Sequence, residues 1–424
     1  MSTPDASRHE PTTGLPDLAE QPWFCAASVR QVFALLDRDG EEARIIGGAV
    51  RNALIGRPVH EVDFATTATP AVVMERAAGA GMKAVPTGID HGTVTLVIAG
   101  HGYEVTTLRE DIATDGRHAI VRFGRDWEAD ARRRDFTINA LSADASGHIH
   151  DPVGGYDDIL ARRVRFIGDA ATRIAEDRLR ILRFFRFHAQ YAEGPLDPAG
   201  LSAATAARND VRDLSAERVG QEMRKIVVAP RAADVATEMQ ERGIMGVVLG
   251  GIAFLAPFGK SVRAQTAAGA AVSSAARLAA LACRIEEDVL RVAERLRLSN
   301  VERDRMLATL SAAAMFAPFP DERAARALLY RLGQEAYRDG VFQGFAWSSA
   351  PPGEAWKNLY HLPDRWTPPR FPLSGRDVMA TGRERGPEIG VLLRAVETWW
   401  IGEDFAPDET AVRSRLQQMV AAQQ

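Results

Sequence analysis

Two acidic residues with a single residue between them, Glu61 and Asp63, lie in a stretch predicted to be a strand, Val59 to Phe64. Because side chains alternate between the two faces of a strand, we expect both carboxylates to point to the same face. Two carboxylates this close repel each other unless a cation lies between them. Mg²⁺ prefers carboxylate oxygens and keeps open positions for phosphate groups. The pair therefore predicts a magnesium site that acts on a phosphate-bearing substrate.

A glycine pair precedes these carboxylates. Gly47 and Gly48 close a short strand predicted for Ala43 to Ile46, and a helix is predicted for Ala49 to Ile55. Such a turn offers backbone N–H groups and the positive end of a helix dipole to an anion. Alone, a glycine pair indicates only a turn, and an acidic pair only a solvated strand edge. Together they predict a phosphate-binding turn beside a metal site, which is the arrangement needed for nucleotidyl transfer.

This order of features resembles the signature of class II nucleotidyltransferases, GGxVRDxLLG followed by DxDxAT. That family holds CCA-adding enzymes, their CC- and A-adding variants, and bacterial poly(A) polymerases. The resemblance implies that Arg51, like Gly48, contacts the phosphates of a nucleotide. The chain differs from the signature at two positions: Asn52 stands where the family usually has Asp, and Glu61 replaces the first metal-binding Asp.

Length and composition set the broad class of the protein. A chain of 424 residues is too long for one simple core, so we expect about two to four domains. Apolar residues at 46% and charged residues at 25% are typical of a soluble globular protein. Because the formal net charge is −4, any contact with nucleic acid depends on local basic patches.

Cysteine usage and hydropathy predict the compartment. The two cysteines, Cys25 and Cys283, lie far apart, which argues against a disulfide framework or a zinc site and fits a reducing cytosol. No apolar run reaches the roughly 18 residues that a membrane span needs, so we expect a cytoplasmic protein. The polar stretch from Met1 to Gln21 is predicted to be a disordered lead-in and not a signal peptide.

Hydrophobic periodicity predicts an α+β fold. The part before residue 150 mixes helices with mostly antiparallel strands and suggests a small head like that of polymerase β, and the rest of the chain is helical. The further elements predicted for the head are helices over Trp23 to Asp37 and Ala71 to Ala80, and strands over Lys83 to Pro86, Gly92 to Ala99 and Tyr103 to Leu108. On the last strand, Glu104 is either a third catalytic carboxylate facing Glu61 and Asp63 or a glutamate on the solvent face.

A polar stretch, Arg109 to Arg125, is predicted to be a surface loop. It resembles the flexible loop of the family, including an Asp-x-Arg element at Asp115 and Arg117. The resemblance implies a role in the switch from adding C to adding A.

The stretch from Asp130 to Leu141 contains three consecutive arginines, a pattern that usually marks a solvated helix face. Here it resembles the family motif DxxRRDFTINA, which places Arg133, Arg134, Asp135 and Asn139 in the nucleotide site. Arginine suits a triphosphate because its planar fork donates bidentate hydrogen bonds. Asp135 is a candidate acceptor for a ribose 2′-OH.

A helix predicted over Ile174 to Phe187 carries the second cluster of polar residues. Its side chains at intervals of three residues are Asp177, Arg180, Arg183 and Arg186. An amphipathic helix with an ion pair would also explain this pattern. The segment resembles the family motif EDxxR at Glu176, Asp177 and Arg180, which implies base selection. An Asp accepts from the amino group of C or A, while an Arg donates to their ring acceptors, and Arg183 and Arg186 are then expected to reach the triphosphate.

Later segments carry weaker signals. Ser215 is a predicted N-cap in a stretch that resembles LSxERIxxExxK, with Arg218 as a candidate brace for the base-selecting helix. Residues 298–300 are a predicted cap between two helices, and Pro351 to Pro372 is a predicted linker. Trp399 and its neighbour Trp400 are expected to be packing residues.

The sequence thus predicts a template-independent enzyme that adds CCA to tRNA from CTP and ATP, with Mg²⁺ as cofactor, no membrane association and no evident protein partner. The alternatives left open are a poly(A) polymerase, a CC-adding enzyme and a catalytically weakened RNA-binding relative. The predicted parts are a lead-in (1–22), a nucleotidyltransferase head (23–150), a neck (151–228), a body (229–349), and a linker with a tRNA-binding tail (350–424).

Overall fold

The structure, a computed structural model, describes residues 14–89, 92–114, 119–349 and 353–422. The chain divides into two compact units, one of Met1–Arg231 with Glu238–Val248 and one of Ala232–Thr237 with Leu249–Gln424. None of the helices in the described ranges is both long and apolar enough to cross a membrane. The finer division into head, neck, body and tail stays a prediction.

The strands of the described residues all lie in the first unit. They are β1 (Ala43–Ile46), β2 (Asp63–Thr66), β3 (Lys83–Gly88), β4 (Thr93–Ile98), β5 (His101–Thr107), β6 (Arg109–Thr114), β7 (Ala119–Phe123), β8 (Ser142–Asp144) and β9 (Ile149–His150).

Helices occur in both units. Those up to residue 249 are α1 (Ala27–Leu36), α2 (Gly48–Leu54), α3 (Pro70–Gly79), α4 (Trp127–Arg132), α5 (Gly155–Leu160), α6 (Ala170–Glu176), α7 (Arg180–Tyr191), α8 (Pro198–Ala206), α9 (Ala216–Val228), α10 (Ala232–Glu241) and α11 (Ile244–Leu249). The later ones are α12 (Leu255–Ala267), α13 (Ser274–Ala282), α14 (Glu286–Arg295), α15 (Asn300–Met315), α16 (Glu322–Trp347), α17 (Glu354–Tyr360), α18 (Leu362–Arg365), α19 (Gly375–Met379), α20 (Pro387–Gly402) and α21 (Glu409–Ala421).

The main sheet has seven strands in the order β3-β4-β5-β2-β1-β8-β9, and β6 pairs with β7 in a separate ribbon. Its pairs are antiparallel except for β2 and β5, which run parallel. The predicted α+β class with a mixed, mostly antiparallel sheet is therefore confirmed. The prediction of a surface loop over Arg109 to Arg125 was wrong for the residues of β6 and β7, which pair with each other through their backbones.

The register of β2 and β5 sets the direction of the acidic side chains. Phe64 lies opposite Val105 in the parallel pair, and both are buried. Phe64 packs against Phe33 of α1, with ring centroids 5.1 Å apart, so α1 covers this face. Because side chains alternate along a strand, Asp63 and Glu104 point to the opposite face.

An aromatic cluster joins the segment after α4 to α7. Phe136, Phe166 and Phe184 are buried, and their ring centroids lie 4.9 to 6.3 Å apart. Phe187, also buried, packs against Phe136 with the two rings tilted and their centroids 5.0 Å apart. Aromatic pairs of this kind bury large apolar areas, so the polar residues beside Phe136 are held at a fixed place against α7.

The second unit is helical among its described residues and contains two apolar clusters. One packs Tyr337 and Val341 of α16 against Trp356 and Leu362. The predicted linker over Pro351 to Pro372 was therefore wrong for the part that forms α17 and α18, because its aromatic and aliphatic side chains are buried.

The other cluster of the second unit contains Trp400, which is buried, with Trp399 packed against it. The expectation that both tryptophans are packing residues is confirmed. The predicted cap between two helices is also present, since Ser299 and Glu302 form a capping box at the start of α15.

Ordered contacts in the first unit begin before Trp23. Leu18 is buried, and its amide donates a hydrogen bond of 3.0 Å to the carbonyl of Gly147. The predicted lead-in therefore ends earlier than residue 22, because an apolar side chain near its end reaches the core.

Candidate active site

The glycine pair forms a tight turn between β1 and α2. Gly47 has a φ of +63°, a left-handed conformation that favours glycine. A Cβ added at Gly47 would lie 3.6 Å from Nη1 of Arg134, and one added at Gly48 would lie 3.7 Å from Nη2 of Arg51. Two guanidinium groups thus flank the turn, as binding of a phosphate chain requires.

The two predicted metal ligands differ in their surroundings. Strand β2 begins at Asp63, which pairs with Ile46, the last residue of β1. Because the partner strand ends there, Glu61 lies outside the strand and is exposed. The prediction that both carboxylates share one strand was therefore wrong, although Asp63 itself lies on the face away from the core.

Asp63 is half-buried beside other carboxylates. Burial, then the charge of Glu104 and then that of Glu61 raise the pKa of Asp63 to about 6, while the charge of Arg134 lowers it. Both glutamates are therefore near enough to repel a negative charge on Asp63. This supports Glu104 as a third carboxylate facing Asp63, even though its side chain is exposed.

This set of oxygen donors fits a hard divalent cation. A cation beside Asp63 would remove the repulsion that raises its pKa. Within the described parts of the chain, however, no group of three or more His, Cys, Asp or Glu residues could hold a metal ion. The donor set therefore suits an ion that takes part of its coordination from substrate oxygens and water, as Mg²⁺ does.

The arginines after α4 are held in place by a buried carboxylate. Asp130 accepts from Arg133 at 2.5 Å and from Arg134 at 3.0 Å, and these charges hold the pKa of Asp130 below its usual value against the effect of burial. The backbone carbonyls of Arg133 and Arg134 both accept from the guanidinium of Arg173. Side chain and backbone are thus both fixed, which directs the two arginines into one cavity.

Asp135 is the centre of a hydrogen-bonded network in the wall of this cavity. One oxygen accepts from the backbone N–H of Phe136 at 2.9 Å and from Nδ2 of Asn139 at 3.0 Å. The other accepts from Nε and Nη2 of Arg183 at 2.7 and 2.6 Å. Since a carboxylate has about four acceptor positions, a ribose 2′-OH would have to replace one of these partners.

The helix predicted over Ile174 to Phe187 is interrupted. Helix α6 ends at Glu176, Asp177 has an extended backbone (φ −149°, ψ 107°), and α7 begins at Arg180. The carboxylate of Asp177 accepts from the backbone N–H of Leu179 at 3.1 Å, a local bond that competes with the helix. The prediction of one continuous helix was wrong for this reason.

The break leaves Asp177 and Arg180 side by side on the cavity wall. Nη2 of Arg218 donates to both oxygens of Asp177, at 3.0 and 2.8 Å, which is the brace predicted from the sequence. Nη1 of Arg180 donates to Glu176 at 2.5 Å. Asp177 and Arg180 therefore have different partners, and each keeps its side chain partly exposed.

Two further arginines of α7 differ in position. Arg183 lies in the cavity wall and pairs with Asp135. Arg186 pairs with the buried Glu222 at 2.5 Å and is not part of the wall. Contact of Arg186 with a triphosphate would require this ion pair to open.

The cavity has a volume of about 410 Å³. Its lining residues that the sequence singled out are Gly47, Gly48, Arg51, Asp63, Arg133, Arg134, Asp135, Asn139, Asp177, Arg180 and Arg183. The predicted site residues outside this lining are Glu61, Glu104, Glu176 and Arg186. Asp115 and Arg117 lie outside the described residues.

Sequence reasoning missed several residues that support the site. Phe187 lines the cavity, and Arg173 holds the backbone after α4. The hydroxyl of Tyr191 accepts a hydrogen bond from Arg51. Phe187 and Tyr191 are one helical turn apart, a spacing that puts them on the same side of α7. That spacing was the available signal, although it is equally typical of a core stripe.

Comparison with known proteins gives consistent matches. A family model described as the Poly A polymerase head domain matches residues 43–165. The mitochondrial CCA tRNA nucleotidyltransferase 1 of Danio rerio is 34% identical over 393 residues, which cover 89% of this chain and 87% of the relative. The CCA-adding enzyme of Geobacillus thermodenitrificans is 40% identical over 212 residues, covering 49% of this chain and 51% of the relative.

The same likeness is found among solved structures. The crystal structure of the Bacillus stearothermophilus CCA-adding enzyme in complex with CTP superposes with a TM-score of 0.72 at 29% identity, covering 93% of this chain and 97% of that one. The similarity therefore extends well beyond the head that the family model matches.

Proposed function

The chain belongs to the CCA tRNA nucleotidyltransferase family, and we propose that the cavity described above binds CTP and ATP for the addition of CCA to tRNA. The protein is a template-independent nucleotidyltransferase that extends the 3′ end of tRNA and releases pyrophosphate. The observation that carries this function is the union of three features in one cavity: the glycine turn with its arginines, Asp63, and the pair Asp177 and Arg180.

The phosphate chain of the nucleotide binds at the glycine turn. Arg51 and Arg134 flank Gly47 and Gly48, and their guanidinium groups donate charge-assisted hydrogen bonds to phosphate oxygens. Arg133 adds a third positive charge to the same wall. Asp135 and Asn139 act through other residues, since one holds Arg183 and the other holds Arg51.

Glu61 and Asp63 would hold Mg²⁺, with Glu104 near Asp63. When bound there, the ion would supply activation of the RNA 3′-OH and stabilisation of the charge that develops on the α-phosphate. The role of the protein is to keep Asp63 half-buried at the start of β2, where its charge faces the nucleotide cavity. Arg134 stabilises the ionised form of Asp63.

Asp177 and Arg180 select the base. The carboxylate accepts from the amino group of C or A, and the guanidinium donates to N3 and O2 of C or to N1 of A. U and G present the opposite pattern on these edges and would leave polar groups without partners, which is costly in a partly buried site. Arg218 supports this function by fixing Asp177.

A tRNA extension assay tests this function. Purified protein is incubated with Mg²⁺, CTP and ATP and with three tRNA transcripts that end before CCA, after C and after CC. We expect each transcript to grow by only its missing nucleotides. Long A tails on any RNA would identify a poly(A) polymerase, and growth that stops at CC would identify a CC-adding enzyme and a defect in the segment of Asp115 and Arg117. Binding of tRNA with no incorporation would identify an RNA-binding relative.

Glu61 provides a second prediction. We expect Glu61→Ala to lower the rate of incorporation on the order of 10²-fold and to raise the Mg²⁺ concentration needed for half-maximal rate, because one of two carboxylate ligands is lost. Glu61→Asp keeps a carboxylate at this position, and its rate of incorporation should stay within about tenfold of the wild-type rate. An Mg²⁺ titration of both variants measures this, and an unchanged titration for Glu61→Ala would remove Glu61 from the metal site.

We also propose a reducing, cytoplasmic compartment, on the basis of the two free cysteines. Cys283 is buried, and burial raises the pKa of its thiol to about 12, so it is unreactive. Some curated relatives are named as mitochondrial. Imaging of the tagged full chain in its own cells distinguishes the cytoplasm from an organelle.

A further inference from the structure

Arg51 is a buried cation whose hydrogen-bond partners are all neutral. Its Nη1 donates to Oδ1 of Asn139 at 2.5 Å, and its Nη2 donates to Oδ1 of Asn52 at 3.1 Å and to the hydroxyl of Tyr191 at 2.8 Å. Its Nε also donates to Oδ1 of Asn52, at 3.3 Å. Among the described residues no carboxylate forms an ion pair with Arg51, although its side chain is only 6% exposed.

Aromatic rings hold the same guanidinium from the side. The Cζ of Arg51 lies 3.9 Å from the ring centroid of Tyr191 and 5.5 Å from that of Phe187. The Cζ of Arg57 lies 5.1 Å from the ring centroid of Tyr191, and its Nη2 donates to the carbonyl of Gln190 at 2.7 Å. Helix α2 is thereby fastened to the end of α7, and Arg51 has little freedom to leave the cavity wall.

This environment differs from that of the other cavity arginines. Arg133 and Arg134 share the carboxylate of Asp130, and Arg183 pairs with Asp135. Their charges are compensated by carboxylates in direct contact, whereas Arg51 contacts no carboxylate among the described residues and is stabilised by the charge of Asp135 only without a hydrogen bond. A buried cation without an acidic partner is unfavourable unless a ligand supplies the negative charge. An anionic ligand is therefore expected to bind at the part of the cavity wall that contains Arg51.

Asn52 is what keeps this position uncompensated. Its Oδ1 receives two hydrogen bonds from Arg51, so an aspartate at the same place would form a short ion pair with the guanidinium. That pair would neutralise the positive charge close to the glycine turn, where Nη2 of Arg51 lies 3.7 Å from the Cβ position of Gly48.

We propose that Asn52 and Tyr191 are positioning residues that hold Arg51 without compensating its charge, so that the charge is available to the triphosphate of either nucleotide. This inference rests on the proposed role of Arg51 as a phosphate ligand. Tyr191 lies 140 residues from Arg51 in sequence, and Asn52 is the residue that departs from the family signature. Both residues are expected to affect affinity for the phosphates, independently of the base.

The test measures binding of CTP, ATP, CMP and cytidine to the full chain by titration calorimetry. We expect Asn52→Asp to weaken CTP binding by about tenfold, the effect of one charge-assisted interaction. Binding of CMP should weaken by less than about threefold, and binding of cytidine should not change, because a ligand with fewer phosphates loses less electrostatic attraction. Tyr191→Phe keeps the aromatic ring, and its affinity for CTP should fall by about threefold. The affinity of Tyr191→Ala for CTP should fall further.

Two matched variants serve as controls. Asn209→Asp adds the same charge at an exposed residue of the first unit, and Tyr156→Phe removes a hydroxyl outside the cavity lining. Neither should change the ratio of CTP to CMP affinity. A variant that only destabilises the fold would lower the midpoint of thermal unfolding and weaken the binding of all ligands equally.

The outcomes separate this inference from the proposed function. Wild-type affinity for CTP in both Asn52→Asp and Tyr191→Phe, or an equal loss for CTP and CMP, overturns the inference while CCA addition by the wild type stands. Wild-type protein that adds no nucleotide to any of the three tRNA transcripts overturns the proposed function itself. A selective loss of CTP affinity that is the same for ATP supports the inference, because the two nucleotides share their phosphates and differ in their bases.

Discussion

Replacement of Asp63 by asparagine is expected to abolish the incorporation of both CTP and ATP, with a loss on the order of 10³-fold or more, because the proposed ligand of the catalytic cation is removed. The large expected effect follows from the position of Asp63 in the cavity. Asp63 is the carboxylate that lines the cavity at the start of β2, with Glu104 and Glu61 near enough to raise its pKa. An amide of the same shape keeps the packing and removes the negative charge.

The measurement is single-turnover extension of a tRNA ending in CC, beside a filter-binding assay with the same tRNA. Incorporation should disappear and tRNA affinity should stay within about twofold, since Asp63 lies in the nucleotide cavity. Glu75→Gln is the matched control, because Glu75 is an exposed carboxylate on α3 of the same unit. Incorporation at the wild-type rate by the Asp63→Asn protein would exclude Asp63 from catalysis.

Replacement of Arg180 by alanine is expected to relax the choice of nucleotide more than it weakens binding of the triphosphate. Arg180 lies in the cavity wall beside Asp177, and the arginines at the glycine turn are left in place. Without its donor, the site no longer opposes the N–H of U or G, so misincorporation of UTP and GTP should rise on the order of tenfold or more relative to CTP.

Competition between the four nucleotides on a tRNA that ends before CCA measures this effect. Arg178→Ala is the matched control, because Arg178 is half-exposed, lies two residues away and faces Asp210 and Asp213 at 3.6 and 3.9 Å. The control should keep its choice of C and A. If Arg180→Ala rejects UTP and GTP as strongly as wild type does, base selection by this pair is wrong and another part of the protein selects the nucleotide.

The two predictions address the two ends of one bound nucleotide. Asp63 belongs to the seven-stranded sheet, whereas Arg180 belongs to α7, and the aromatic cluster around Phe136 connects α7 to the arginine-rich segment that lines the same cavity as Asp63. A rigid connection of this kind is required if a protein surface replaces a nucleic-acid template, since the base is read at a fixed distance from the reacting phosphate.

Much of the candidate site was predictable from local sequence. The strand from Ala43 to Ile46, the turn at Gly47 and Gly48, and the arginine-rich stretch before Phe136 each depend on residues only a few positions apart. Glycine at a positive φ and a capped short helix are decided by neighbours in the chain. Their order along the chain was enough to identify the chemistry.

The tertiary structure decided which of these residues have partners. Strand β2 begins at Asp63 and leaves out Glu61 because β1 ends at Ile46, and α6 ends where Asp177 is held by Arg218, 41 residues away. Arg183 pairs with Asp135 across 48 residues, and Arg51 meets Tyr191 across 140. Local propensity determines that a residue lies on a strand, a helix or a turn, whereas burial and charge compensation depend on segments that meet only when the chain has folded. For this protein, the sequence by itself therefore determined the reaction and predicted the candidate site residues, and only the folded structure determined how each charge among them is held.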